Sequence, residues 1–242
     1  MNLSSELRRR LTGAARITVL TGAGISAESG LPTFRGAGGW WKTHRAEDLA
    51  TPEAFRRGPL LVWEWYSHRR ELVRQHAPNA GHEALAKMES SFKEFSLITQ
   101  NVDGYHRRAG SIRVLELHGN IMQSRCSGCG RECDAGAETW REQLPYCDCG
   151  ALYRPGVVWF GESLPAAALQ AAFAAAENCE LFFSIGTSAV VYPAAALPQI
   201  AKERGAYVVE INTEPTPLTP RADEFLRGSA GEILPGIVNS LG

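Results

Sequence analysis

An apolar, largely β-branched run at residues 17–20 (ITVL) opens straight onto the glycines of residues 21–35 (TGAGISAESGLPTFR). The run predicts a short buried strand. Gly22 and Gly24 predict a tight turn with a close backbone approach, followed by a helix N-terminus whose free N–H groups can face a phosphate. The spacing G-x-G-x-x-A is a variant of the dinucleotide-binding fingerprint, but glycine turns after strands are common and the spacing alone decides little. A hydride-transferring dehydrogenase would carry an acidic residue about 20 residues on, at the end of a second strand, to hold a ribose hydroxyl. Glu47 and Asp48 fall near that distance, yet the sequence around them, with Gly38, Gly39, Trp40, Trp41 and Pro52, does not read as a strand. A dinucleotide site of another design is the reading that stays open.

With 242 residues the chain can bury a substantial core, and we expect one main domain with a smaller insert. A formal net charge of −1 supplies no general field for nucleic acid or anionic lipid, so neither is expected as a partner. No apolar run reaches the roughly 18 residues that a membrane helix needs. Residues 1–16, with Arg8, Arg9 and Arg10, read as a mature amphipathic helix rather than a presequence, because the first core strand begins at Ile17. Five of the six cysteines crowd between Cys126 and Cys149. Without a secretion signal this crowding points to a metal rather than disulfides, and to a reducing, cytoplasmic setting.

Along the chain, residues 60–73 place apolar residues at helical spacing with no breaker, and we read residues 37–77 as a helical insert. A helix from about residue 80 to Met88 leads to a strand at 95–99 that ends in Gln100-Asn101-Val102-Asp103-Gly104. Ligands of open α/β sheets bind at such carboxyl edges; the plainer alternative is a polar turn in which Asp103 caps the next helix. A strand at 113–117 delivers His118-Gly119 to the same edge, and strands at 181–185 and 207–211 end in Gly186-Thr187-Ser188 and Asn212-Thr213-Glu214. With the alanine-rich helix at 165–176, the alternation predicts an α/β fold, a doubly wound parallel, Rossmann-like sheet. Residues 1–36, 78–118 and 159–242 would form it, and the helical insert with a zinc-binding insert at 119–158 would form the small domain. In that second insert Cys126-x-x-Cys129 and Cys147-x-Cys149 are separated by 17 residues. Four thiolates in two close pairs suit a closed, tetrahedral, structural zinc site. Cys133 is an alternative ligand, and Cys179 reads as plain core. Residues 154–162 (RPGVVWFGE) predict an exposed aromatic strand, with Trp159 and Phe160 as simple core residues the alternative.

Taken in order, TGAGISAESGLPTFRG, TQNVDGYHRRAG, LHGN, the four-cysteine insert, VVWFGE, GTS and INTEP resemble the sirtuins, the NAD-dependent protein lysine deacylases, over nearly the whole chain. The resemblance implies that NAD is a co-substrate whose nicotinamide bond breaks while the acyl oxygen attacks the ribose carbon, with nicotinamide and O-acyl-ADP-ribose released. It implies His118 as general base, Asn101 and Asp103 on the nicotinamide amide and a ribose or water, and Gln100 on ribose oxygens, with Val102 beside them. Gly22, Ala23, Gly24 and Glu28, together with Gly186, Thr187, Ser188, Asn212, Thr213, Glu214 and Ala230, would seat the diphosphate and adenosine. Phe34 and Arg35 would lie on a loop over the nicotinamide, with Trp41 a further cofactor contact.

By the same resemblance Val157, Val158, Trp159, Phe160 and Gly161 would pair with an extended acyl-lysine peptide by strand addition, and one structural zinc would sit on Cys126, Cys129, Cys147 and Cys149. A monomer is expected. Tyr66 and Arg69 share one face of the inserted helix, and in the class III branch of the family a Tyr-x-x-Arg at this place lines the acyl pocket. The arginine fork matches a terminal carboxylate, which makes the expected enzyme a desuccinylase and demalonylase that keeps some deacetylase activity. Two other functions are weighed against it. A protein ADP-ribosyltransferase would move label from NAD to protein, and a noncatalytic NAD sensor would need no base beside the ribose.

Overall fold

The structure is a computed structural model that describes residues 3–32, 40–41, 43–134 and 144–241. In chain order it runs α1 (Ser5–Gly13), β1 (Arg16–Thr21), α2 (Gly24–Ala27), β2 (Trp40–Trp41), β3 (His44–Arg45), α3 (Ala46–Leu49), α4 (Pro52–Arg57), α5 (Pro59–Gln75) and α6 (Ala80–Ser91). There follow β4 (Glu94–Thr99), α7 (Tyr105–Arg108), β5 (Val114–Glu116), β6 (Gly119–Cys126), β7 (Glu132–Asp134) and β8 (Tyr153–Val157). The chain closes with α8 (Ala166–Asn178), β9 (Leu181–Ile185), α9 (Leu197–Glu203), β10 (Tyr207–Asn212), β11 (Glu224–Arg227) and α10 (Ala230–Val238).

Six strands form one parallel sheet in the order β11-β10-β9-β1-β4-β5. The glycine-following strand β1 is central, and β9 is buried at all five positions, as expected of a parallel strand covered on both faces. On one face Leu7 and Leu11 of α1, Leu85 and Met88 of α6, and Ile233 and Leu234 of α10 pack with Val19, Phe183 and Val209. On the other, Ala172 and Ala176 of α8 and Leu197 and Ala201 of α9 pack with Leu20, Phe182 and Val208. The small side chains of α8 let it lie close to the sheet. Helix ends are fixed locally: Thr51 accepts from the Ala54 N–H ahead of Pro52, and Ser229 and Glu232 form a capping box on α10.

A second, antiparallel sheet has the order β7-β6-β8. Helix α5 packs beside it in a core of Trp63, Trp65, Tyr66, Tyr105, Ile121, Val157 and Trp159. Arg70 of α5 is fully buried and donates to backbone carbonyls of β6: Nε to Ile121 at 2.6 Å and Nη2 to Gln123 at 2.8 Å, with Ser124 Oγ at 3.1 Å. Its guanidinium also lies 5.0 Å from the Trp63 ring centre, and burial pushes its pKa down to about 10.

The aromatic strand predicted at 154–162 is shorter than expected. Regular pairing ends at Val157, and Trp159 is 3 % exposed, a core residue, whereas Phe160 is 48 % exposed. The reason is an ion pair: Arg154 donates to both Glu162 oxygens and Glu162 accepts the Trp159 N–H, which curls the chain inward after β8. Among the described residues no helix is long and apolar enough to cross a membrane.

Candidate active site

The carboxyl ends of β1, β4, β9 and β10 open onto one cavity of about 640 Å³ that reaches α5 and the segment after β8. Its construction begins at the glycines. A Cβ on Gly24 would lie 2.7 Å from Gly186 Cα, and one on Gly22 would lie 2.8 Å from the Gly186 carbonyl oxygen. The glycines of the first turn therefore serve contact between the β1 and β9 loops, and Gly186, at φ +60°, supplies the complementary surface.

The expectation of several free N–H groups at the following helix needs correction. The Gly22 and Gly24 amides are taken by the Ile185 and Gly186 carbonyls, and those of Ile25 and Ser26 by Gly22 and Ala23. Helix α2 is a single turn packed into this loop. Among the described residues the N–H groups of Ala23 and Thr187 have no hydrogen-bond partner, and both residues line the cavity. Two donors on one wall suit an anion such as a diphosphate. Asn212 supports the same wall by donating Nδ2 to the Thr187 carbonyl at 2.8 Å. Ser188, Thr213, Glu214 and Ala230 also line the cavity.

Glu28 reaches the wall from below: its carboxylate accepts from Ser229 Oγ and from the Gly231 N–H, each at 2.7 Å. Negative charge there offsets the positive end of α10.

Past β4 the polar cluster is tightly wired. Both Nδ2 hydrogens of Asn101 are taken, by the Gly22 carbonyl at 3.0 Å and Ser26 Oγ at 3.2 Å, which leaves Oδ1 to accept from a bound amide or water. Asp103 accepts from Ser26 Oγ at 2.8 Å and from the Tyr105 N–H at 2.9 Å. It therefore holds the first amide of α7, with Gly104 as the N-cap residue, and is also a wall of the cavity; burial raises its pKa. Gln100 and Val102 line the same wall. Ser26, the hub of this wiring, was not among the residues singled out from the sequence; its place two residues after Gly24 was the available signal.

His118 follows β5. Its Nδ1 lies 2.9 Å from the Gln100 carbonyl oxygen. A carbonyl only accepts, so Nδ1 carries the proton and Nε2 holds the lone pair. Burial lowers the pKa of the ring, keeping it neutral near pH 7. The residue after it has to be glycine: Gly119 has φ +75°, and a Cβ there would meet the Gly156 carbonyl oxygen at 2.3 Å. The His118 carbonyl accepts the Val158 N–H at 2.9 Å, tying the histidine to the segment after β8. Val157, Val158, Trp159, Phe160 and Gly161 border the cavity from that side, and Tyr66 and Arg69 border it from α5. Burial lowers the Arg69 pKa. Phe34 and Arg35 lie outside the described residues, as does the side chain of Trp41.

The four predicted cysteines come together away from this cavity. The sulfurs of Cys126, Cys129, Cys147 and Cys149 all lie within 4.8 Å of one another, with Cys126 to Cys149 at 3.4 Å and Cys129 to Cys147 at 3.7 Å. Tetrahedral zinc with sulfur bonds of about 2.3 Å spaces its ligands by about 3.8 Å. The Cys129 and Gly128 amides donate to Cys126 Sγ at 3.4 Å and pull its thiol down to about 6, toward the thiolate that binds metal. Gly150, at φ +85°, makes the turn after the second pair. Cys133, on β7 opposite Ser124 of β6, is outside the cluster. The donor set fits one structural zinc.

Residues 22–193 match the model of the Sir2 family. An NAD-dependent protein deacylase of Aquifex aeolicus is 56% identical over 215 residues, covering 88% of this chain and 90% of the relative. That of Thermococcus kodakarensis is 52% identical over 237 residues, covering 95% and 92%. A solved Sir2 homologue in complex with NAD superposes with a TM-score of 0.95 at 46% identity, over 99% of this chain and 94% of that one. A Sir2 structure with a p53 peptide and NAD+ gives 0.86 at 32% identity, with 98% of each chain covered. With most of its length matched by the family and by relatives of this identity, the chain belongs to the Sir2 family.

Proposed function

We propose that this enzyme, an NAD-dependent protein deacylase, removes succinyl and malonyl groups from lysine in addition to acetyl, using the cavity bordered by Tyr66 and Arg69. The observation that carries the catalytic part is the His118–Gln100 bond, which leaves a neutral imidazole with an unprotonated Nε2 on a residue that lines the cavity. NAD supplies the ribose carbon that the acyl oxygen attacks and nicotinamide as the leaving group. His118 accepts a ribose hydroxyl proton at Nε2, and the Gln100 carbonyl, already bonded to Nδ1–H, stabilises the imidazolium that results. Such a base contributes about 10²–10⁴-fold.

Asn101 Oδ1 and the Asp103 carboxylate receive the nicotinamide amide and an ordered water or hydroxyl. The Ala23 and Thr187 N–H groups hold the diphosphate, with Glu28 and Asn212 bracing the two loops. Val157 to Gly161 take the peptide backbone by strand addition, through the Val158 and Phe160 carbonyls, because the Val158, Trp159 and Phe160 N–H groups are already bonded to His118, Glu162 and Ala50. We further take the enzyme to work as a monomer, and in a reducing, cytoplasmic setting on the support of four cysteine sulfurs gathered for a metal.

The acyl part rests on Tyr66 and Arg69 facing the cavity from neighbouring turns of α5. A charge-assisted hydrogen bond to a carboxylate is worth about 1.5–3 kcal/mol net, roughly a tenfold to 150-fold preference over an uncharged acyl chain. The test compares one peptide bearing acetyl-, succinyl- or malonyl-lysine, with and without NAD, on wild type and Arg69→Met. NAD-dependent release of succinyl and malonyl groups is expected, with the succinyl-to-acetyl ratio of kcat/KM falling at least tenfold in the variant. An equal loss on all three peptides removes the pocket assignment; no NAD-dependent release removes the enzyme reading.

A further inference from the structure

The Tyr66 hydroxyl carries a bond that decides what it does next. Trp159 Nε1–H donates to it at 3.0 Å. An indole nitrogen only donates, so the Tyr66 oxygen is the acceptor and its own proton is turned elsewhere. Among the described residues that proton meets no acceptor, and Tyr66 lines the cavity. Tyr66 and Trp159 are 2 % and 3 % exposed. Burial raises the phenol pKa well above its usual value, so the group stays a donor throughout the working pH range.

The indole is itself clamped. The Arg154 guanidinium lies 3.4 Å from the centre of its ring. The same guanidinium donates to the Val157 carbonyl and to Glu162 Oε2, each at 2.9 Å, and its Nη1 pairs with Glu162 Oε1. Glu162 Oε2 also accepts the Trp159 backbone N–H at 2.9 Å. Phe55 packs against the ring at 5.2 Å. Both the main chain and the ring plane of Trp159 are held by a buried cation and its carboxylate, so the direction of the Nε1–H bond is set before any substrate arrives. Neither Arg154 nor Glu162 needs to touch an acyl group to influence it.

We propose that Trp159 is a positioning residue for acyl specificity: by donating to Tyr66 it commits the Tyr66 proton to the cavity, where an acyl carboxylate accepts it beside Arg69. The inference rests on the carboxylate-pocket reading given above. An aromatic ring without the N–H at position 159 leaves the Tyr66 hydroxyl free to rotate, and part of the donor is lost to other orientations.

The experiment is a double-mutant cycle of Trp159→Phe and Tyr66→Phe, with Arg69→Met run in parallel, on succinyl- and acetyl-lysine forms of one peptide at saturating NAD. Loss of a single neutral hydrogen bond corresponds to about threefold to tenfold. Trp159→Phe is expected to raise KM for the succinyl peptide by that factor with a smaller change in kcat, the pattern of lost binding, and to lower the succinyl-to-acetyl ratio accordingly. In the Tyr66→Phe background the same substitution is expected to move the ratio by less than about twofold, because its partner is already gone.

An unchanged ratio in Trp159→Phe, or an equal further loss in both backgrounds, overturns the proposal; the second outcome marks Trp159 as packing alone. The Arg69→Met arm separates the two readings. A collapsed ratio there with an unchanged one in Trp159→Phe leaves the pocket standing and removes only the Trp159 role, whereas an unchanged ratio in Arg69→Met removes both. Should Trp159→Phe not fold, 3-benzothienylalanine at position 159 keeps the ring shape without the N–H and is expected to give the same loss.

Discussion

His118 donates Nδ1–H to the carbonyl oxygen of Gln100 across 2.9 Å, so a main-chain atom at the end of β4 chooses the tautomer of a side chain at the end of β5. Among the described residues no carboxylate bonds to the ring, and nothing in this pairing raises its basicity beyond what one neutral acceptor provides. Burial is the larger effect, and it lowers the pKa.

The first prediction concerns pH. On the proposed role of His118 the base acts when neutral, so kcat/KM is expected to fall as pH drops through its folded-state pKa. That pKa is lowered, which puts the midpoint of the acid limb below the ordinary imidazole value of about 6.5. A pH profile of kcat/KM with subsaturating NAD measures it. His118→Ala is expected to lose about 10²–10⁴-fold and to abolish this limb; a midpoint at or above the ordinary value contradicts the neutral-base reading.

Stability should also depend on pH through His82. This fully buried imidazole sits 3.4 Å from Ser26 Oγ and 4.9 Å from the His106 ring, and desolvation pushes its pKa down to about 4. The unfolded chain takes up the proton near 6.5 and the folded chain does not, so stability is full above that value and is lost as pH falls toward 4. The shift corresponds to roughly 3 kcal/mol. Urea melts at several pH values should show a flatter acid slope in His82→Gln than in wild type.

Removing the metal should unfold more than a hairpin. Chelation, or Cys147→Ser, is expected to release one zinc per chain and lower the melting temperature, since closed sites contribute directly to folding. Cys133→Ser should retain the full metal content, because Cys133 lies on β7 outside the cluster. Elemental analysis beside thermal unfolding reads both outcomes.

At the first turn, Gly24→Ala would press a methyl group to within 2.7 Å of Gly186 Cα, and neither backbone has room to retreat. We expect a loss of about 1–3 kcal/mol from overpacking, together with weaker NAD binding because the Ala23 and Thr187 amides shift with their loops. Thermal melts with and without NAD separate the two effects: a variant with wild-type stability and affinity would show that the contact is slack.

Much of this arrangement was legible in advance because it is encoded locally. Residues 17–20, 95–99, 181–185 and 207–211 are apolar runs ending in polar or glycine clusters, and strand periodicity plus turn chemistry is enough to put those clusters on one sheet edge. The cysteine pairs were legible for the same reason, since spacing alone limits what four thiolates can bind. Strand β11 was not, because Glu224 to Arg227 is a short, half-buried edge that follows the prolines at 215, 217 and 220 and carries no apolar run. The strand pattern leaves Trp159 open between an exposed strand and the core, because its burial depends on Arg154 and Glu162, eight residues apart, pairing in space. Ser26 escaped notice because a serine after a glycine turn is ordinary until three partners converge on it. Side chains whose role depends on a distant partner are the ones that sequence pattern misses.

Arg70 reads β6 through the carbonyls of Ile121 and Gln123, groups that every residue type carries. The attachment of α5 to the zinc-bearing sheet is therefore asymmetric under mutation. Substitutions at 121 and 123 leave the acceptors in place, while losing Arg70 strands two carbonyls that no replacement side chain on β6 can supply with a donor from the same direction. In a genetic screen, position 70 should appear intolerant with few suppressors on β6, and its two partners should vary as far as their own packing allows.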